Sequence, residues 1–137
     1  MANPAPGFQK HPNYAVDIAP LAGELVVKVG EQTLVATTNA VEVTETKHRP
    51  VWYVPLGELD QGMIAKTETQ TFCPFKGYAS YWSVRAGDDL VEDAVWAYED
   101  PYDECLDIAN YASFYTNKVD LYIDGKLANK DGPGWTE

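Results

Sequence analysis

From Leu25 onward apolar and polar positions alternate over short runs broken by glycine and proline, the period of two that specifies half-buried β-strands. In ELVVKVGEQTLVAT, Leu25, Val27 and Val29 alternate with Glu24, Val26 and Lys28. A Gly30-Glu31 connection follows and Leu34 and Ala36 continue the run, which predicts a hairpin. AVEVTE sets Val41 and Val43 on one face and Glu42 and Thr44 on the other. PVWYVP is a β-branched and aromatic run bounded by Pro50 and Pro55, suited to an edge strand. LGELDQGM breaks the pattern with glycines and acids and reads as a turn or one short helical turn. Residues 69–73, 78–85, 91–98 and 119–123 each read as strands, with Ala86-Gly87-Asp88-Asp89 turning the second into the third. One segment departs from period two. In PYDECLDIANYASFY, Pro101 opens the run, Asp103 and Glu104 suit a helix N-terminus, and Leu106, Ala109 and Ala112 recur at roughly helical spacing, which predicts one short helix.

These elements predict a mainly β single domain of antiparallel strands with one short helix. Periodicity does not choose among a barrel, a sandwich and a bent pair of sheets. The first 23 residues hold four prolines and two glycines and read as an extended lead-in to a domain over 24–126, with 127–137 a loose tail.

Composition narrows the function classes. At 137 residues, 45% hydrophobic and 23% charged, the chain fits one packed domain. A formal net charge of −11 repels phosphate backbones and anionic lipid, which argues against nucleic acid and membrane surfaces as partners. Nine acids (Asp88, Asp89, Glu92, Asp93, Glu99, Asp100, Asp103, Glu104, Asp107) lie between Arg85 and Lys118 with no basic residue among them. They read as a solvated face or, more sharply, as a docking surface for a cationic partner. No run of about 18 apolar residues is present and MANPAPGFQK lacks the pattern of a secretory signal, so a cytoplasmic location is expected. Cys73 and Cys105 are then expected to be free thiols. Nothing in the sequence sets an oligomeric state.

Candidate chemistry concentrates in TFCPFKGYASYWSVR. Pro74 restricts Cys73 to extended conformations and Gly77 permits a tight turn before the next strand. In that strand Tyr78, Ser80, Trp82 and Val84 share one face and Ala79, Tyr81, Ser83 and Arg85 the other. Lys76 beside Cys73 would stabilise a thiolate, and His48, flanked by Lys47 and Arg49 with Glu45 close by, is the candidate base. The plainer readings are a buried apolar cysteine and a surface histidine. Trp52, Tyr53, Tyr81, Trp82 and Trp96 are candidates for an aromatic pocket that stacks a planar ring or surrounds a cation, the plainer reading being core. In a strongly acidic protein such a pocket is expected to favour neutral or cationic ligands. Two cysteines and two histidines without a C-x-x-C pair do not make a usual structural zinc site. Phosphate-loop, dinucleotide and serine-elbow motifs are absent, so neither metal nor cofactor is expected.

These residues form a pattern. Cys73-Pro74-Phe75-Lys76-Gly77 with Ala79, Tyr81 and Trp82, supported by Glu45, His48, Pro50, Tyr53, Pro55, Trp96, Tyr98, Pro101, Ile108, Phe114 and Tyr115, resembles the family called domain of unknown function 427. The likeness runs from about His11 to about Tyr122. Lys47 stands where that family more often has glycine, and Ser113 where it more often has alanine. The resemblance implies two bent antiparallel sheets like the β-tent of methionine sulfoxide reductase B and Mss-four type proteins. Their two zinc-binding C-x-x-C knuckles are missing here, while the groove between the sheets is expected to persist. Some classifications label the family nucleotidyltransferase. That chemistry needs clustered carboxylates holding Mg²⁺ beside a glycine-rich loop, and no Gly-Ser loop followed by a D-x-D or D-x-E pair is present. Three readings remain: a small-molecule-binding domain, which the residues favour, a thiol enzyme using Cys73 with His48 and Lys76, and an acidic docking module.

Overall fold

The computed structural model describes residues 3–128 and 130. After a short helix α1 (Pro6–Lys10), eleven strands follow: β1 (Val16–Pro20), β2 (Leu25–Val29), β3 (Gln32–Thr37), β4 (Val41–Glu45), β5 (Val51–Pro55), β6 (Ile64–Cys73), β7 (Gly77–Ala86), β8 (Asp89–Ala97), β9 (Tyr111–Phe114), β10 (Asp120–Ile123) and β11 (Lys126–Leu127). They form two antiparallel sheets, a seven-stranded one in the order β1-β4-β5-β9-β8-β7-β6 and a four-stranded one in the order β11-β10-β2-β3. The architecture is mainly β, with no closed barrel among the described residues. Among the described residues no helix is long and apolar enough to cross a membrane.

The small sheet packs on one face of the large one. Leu25, Val27, Leu34 and Leu121 meet Val54, Trp82, Val84, Val95 and Phe114 there in the main core. The opposite face of the large sheet carries a second core of Val43, Tyr53, Ala79, Tyr81, Trp96, Tyr98, Cys105 and Ile108. Strand alternation produces the division: Tyr53 and Val54, Tyr81 and Trp82, and Val95 and Trp96 are sequence neighbours that enter different cores. Burial along β7 therefore changes parity at Tyr81-Trp82, because one end of the strand is covered on one face and the other end on the opposite face.

Four expectations change. The first 23 residues are not only a lead-in, since α1 and β1 lie within them and β1 pairs with β4 along its length. Its Pro20 closes an edge strand, where a missing N–H costs nothing in the ladder. The helix expected within 101–115 is a kinked 3₁₀ segment over Asp103–Ile108, after which Asn110 takes φ 60 and Tyr111–Phe114 enters the sheet as β9. The expected groove between the sheets is filled by the main core, leaving beside Trp52 and Leu121 a void of about 10 Å³, room for one water. Of the expected loose tail, residues 129 and 131–137 lie outside the described residues, while Leu127 belongs to β11.

Candidate functional site

The site lies on the second core, on the face that the small sheet leaves uncovered. The β6–β7 connection is a tight turn in which the Lys76 N–H donates to the Cys73 carbonyl at 3.2 Å, and the Tyr102 N–H donates to the Lys76 carbonyl at 2.9 Å. Gly77 sits at φ +119, a conformation that disfavours any side chain, while the place of its missing Cβ lies at ordinary contact distance, 3.5 Å, from the Pro101 Cα. This turn directs Lys76 inward. At the far side, β4 ends at Glu45, and the following turn closes through the His48 N–H on the Glu45 carbonyl at 3.0 Å. Lys47 takes φ 63 in that turn. Left-handed backbone favours glycine, which gives a physical reason for glycine at that place in the family the sequence resembles.

Lys76 Nζ and Glu45 Oε1 form an ion pair, with the two side chains 8% and 10% exposed. Burial pulls the Lys76 ammonium down to about 8. The carboxylate touching it favours the charged form, and contact between opposite charges in a poorly hydrated place keeps the pair ionised at neutral pH. Glu45 Oε1 is buried and Lys76 Nζ is the group in contact with it.

The pair borders a cavity of about 210 Å³. Its wall is Tyr53 and Val51 from β5, Tyr81 from β7, Trp96 from β8, Tyr98 just beyond that strand, and Tyr115 after β9, with His48 at the rim. The Trp96 indole N–H donates to the Tyr53 hydroxyl at 3.2 Å, with the two rings edge to face. The Tyr81 hydroxyl meets the Thr71 hydroxyl at 2.9 Å and the Tyr115 hydroxyl at 3.3 Å. Burial raises the pKa of Tyr53, Tyr98 and Tyr115, so these phenols stay protonated and can act as donors. Burial lowers that of His48, which favours the neutral imidazole.

A second hollow of about 570 Å³ adjoins through the Glu45–His48 turn and is lined by Lys10, His11 and Tyr14 from the N-terminal segment, Thr46 and Lys47 from that turn, and Phe75. The N-terminal segment lies across the Cys73–Gly77 loop. Tyr14 stacks on Phe75 with centroids 3.9 Å apart, Phe8 meets the same ring edge to face at 5.0 Å, and the Gly7 N–H donates to the Pro74 carbonyl at 2.8 Å. Its start is held by acids of the 3₁₀ segment: Asn3 N–H to Asp103 at 2.6 Å and Ala5 N–H to Glu104 at 2.9 Å.

Glu45, His48, Lys76, Tyr53, Tyr81 and Trp96, all named from the sequence, therefore line one cavity. Trp52 and Trp82 do not. Each points away from its neighbour Tyr53 or Tyr81 and packs with the main core. There Trp52 donates to Glu42 at 2.9 Å and Trp82 lies 5.6 Å from the Lys66 ammonium. Cys73 closes β6, half-buried against the second core and outside the cavity lining. Cys105 is fully buried under the turn, its thiol 3.6 Å from the Phe75 carbonyl, and burial pushes it up to about 11. Tyr98 and Tyr115 were named from the sequence only as part of the family pattern and not as pocket residues, although Tyr98 shares its parity with Trp96, and Tyr14, for which no local signal exists, was not named at all. The acids expected to form one docking face are partly used internally: Asp93 accepts from Thr67 and Thr69, Glu99 pairs with Lys66, and Asp103 and Glu104 hold the N-terminus. Ser113, unlike the alanine common in the resembled family, is buried and donates to the Trp52 carbonyl at 2.7 Å. Among the described residues no group of three His, Cys, Asp or Glu could hold a metal ion.

No relative is found among curated proteins. The family model described as "Domain of unknown function (DUF427)" matches residues 17–125, a span running from β1 to just before β11 and including the turn, the ion pair and the aromatic wall. The chain belongs to the DUF427 family.

Proposed function

We propose that this chain is a small-molecule-binding domain whose ligand occupies the cavity beside the Cys73–Gly77 loop. The observation that carries the reading is the buried Lys76–Glu45 pair set in an aromatic wall with space beside it. A buried ion pair is a poor source of stability, because desolvation offsets its attraction. Placed against a cavity it has a use, since it offers ammonium donors and a carboxylate acceptor inside apolar surroundings. The volume of about 210 Å³ equals roughly seven waters' share of liquid, enough for a single ring with one or two substituents.

Local charge favours an anionic or neutral ligand over the cationic one that the net charge suggests. Lys10, His11 and Lys47 line the approach, and at the Debye length of about 8 Å the nearest charges outweigh the distant acidic surface. Calorimetric titration with benzoate, benzyl alcohol and benzylammonium tests this. Benzoate is expected to bind most tightly, to weaken with added salt, and to lose affinity in Trp96→Phe and Lys76→Arg while Trp82→Phe leaves it unchanged. Equal binding of all three, or a loss in Trp82→Phe matching that in Trp96→Phe, overturns the reading.

A further inference from the structure

Resting on the reading that this cavity takes a small molecule, we infer that Lys76 is a nucleophile: its Nζ condenses with the carbonyl of a small aldehyde or ketone to form an imine. Lys76 is the one buried lysine among the described residues. Lys10, Lys28, Lys47, Lys66, Lys118, Lys126 and Lys130 are all exposed. Its ammonium has three N–H groups, and Glu45 is its single side-chain partner among the described residues. A lysine buried only for structure would be expected to satisfy its remaining donors on carbonyls or hydroxyls; here they border open space lined by Tyr53, Tyr81, Trp96 and Tyr98.

The pair supplies both the attacking group and its proton carrier. Glu45 accepts one proton from the ammonium, and the freed lone pair attacks the carbonyl carbon. A C–N bond forms, the carbonyl π electrons pass to oxygen, and that oxygen takes the proton from Glu45. The nitrogen then loses a second proton to Glu45. Glu45 returns it to the hydroxyl as the C–O bond breaks and the nitrogen lone pair closes the C=N bond. Overall, R-NH₃⁺ plus O=CR′₂ gives R-NH⁺=CR′₂ plus water, with no oxidant or reductant required. Charge is conserved, so the Glu45 carboxylate faces a cation before and after. A product that discarded the charge, such as an amide, would leave Glu45 buried without a partner. Burial, which draws the Lys76 pKa down toward 8, reduces the cost of exposing the free amine.

Reductive trapping on the full chain, with a simple aromatic aldehyde as the probe, tests this. The native protein is incubated at pH 7 with benzaldehyde or 4-formylbenzoate and cyanoborohydride, and modified lysines are mapped by mass spectrometry. The expected result is benzylation of Lys76 at least tenfold faster than of any exposed lysine, slowed at least tenfold in Glu45→Gln. A map with the label spread over exposed lysines and Lys76 unmodified overturns the imine. The wild-type map decides this alone, so it stands even if the Glu45 variant does not fold. Benzoate titration of the same sample separates the two readings: binding with Lys76 unmodified removes the imine and keeps the cavity, whereas absence of both removes both.

Discussion

Lys76 and Glu45 face one another across the second core, the first from the β6–β7 turn and the second from the end of β4, and both side chains are about nine-tenths buried. The contact joins the 73–77 loop to the outer part of the large sheet. Removing one partner leaves the other charge without compensation in a dry site, which typically costs about 3–5 kcal/mol. Lys76→Met is therefore expected to lower unfolding stability by that amount in urea titration. The double variant Lys76→Met with Glu45→Leu is expected to recover most of the loss, because it removes the desolvation penalty together with the attraction. A single variant within about 0.5 kcal/mol of wild type would show the pair to be hydrated.

Gly7 holds the N-terminal segment against the loop. A Cβ placed there would lie 2.7 Å from the Phe75 Cδ1 and 2.8 Å from the Pro74 carbonyl oxygen. Phe75 is fixed between Tyr14 and Phe8, so the ring has little freedom to retreat. Gly7→Ala is expected to destabilise by about 1–3 kcal/mol, the usual cost of overpacking, even though alanine is the better helix former. Tryptic cleavage after Lys10 should quicken in that variant while cleavage after Lys126 should not.

The strands were legible because period two is a local property, and so was the facing of each side chain. Alternation already placed Trp52 opposite Tyr53 and Tyr81 opposite Trp82. What alternation does not contain is which face is covered at which point along a strand, since that depends on the four-stranded sheet and on an N-terminal segment arriving from far away in sequence. Pooling all five aromatics into one pocket ignored that limit. The expected helix is present but shorter and tighter than its spacing suggests, for a similar cause: Leu106, which fits an apolar stripe by spacing, is 55% exposed, and the left-handed turn at Asn110 returns the chain to the sheet. Glu45 and Lys76 were each named from the sequence, but their contact was not, because nothing local ties the end of one strand to a turn thirty-one positions later.

Lys47 carries a backbone strain that glycine would relieve. Its φ of 63 lies in the left-handed region, which costs a residue with a Cβ about 1 kcal/mol. Part of the gain from Lys47→Gly is offset by the larger entropy of glycine in the unfolded chain. The expected result is a change between zero and about 1 kcal/mol in the stabilising direction, read from the urea midpoint. Lys47→Ala, which keeps the strain, should not stabilise. The glycine variant should also weaken benzoate binding, since it removes a rim charge.

His48 predicts a pH dependence of definite sign. Burial lowers its pKa below the ordinary 6.5. Above pH 6.5 folded and unfolded chains both hold it neutral and it contributes no slope. Below that value the unfolded chain takes up its proton first, so stability falls with pH until the lower folded pKa is passed. His48→Gln should flatten the wild-type curve between pH 6.5 and the onset of carboxylate titration near 4, seen as a difference in thermal midpoint that vanishes above pH 7. A difference of opposite sign would mean that the folded state stabilises imidazolium, as a nearby carboxylate would.

The two thiols provide the sharpest contrast. Cys105 is fully buried under the Phe75 carbonyl and burial pushes its pKa up to about 11, so at pH 8 about one molecule in a thousand carries its thiolate. Cys73 is half-buried at the end of β6, on the same turn as Lys76. Iodoacetamide should therefore modify Cys73 at least tenfold faster than Cys105 in the native protein, and denaturant should abolish the difference. Comparison of Lys76→Met, which removes the charge, with wild type then tests the thiol reading. A Cys73 rate unchanged between them would mean that the lysine serves the cavity and not the thiol, which fits an ammonium already committed to Glu45. A rate that falls at least tenfold in Lys76→Met would instead make Cys73 the reactive group and Lys76 its activator, and the imine chemistry would have to yield to it.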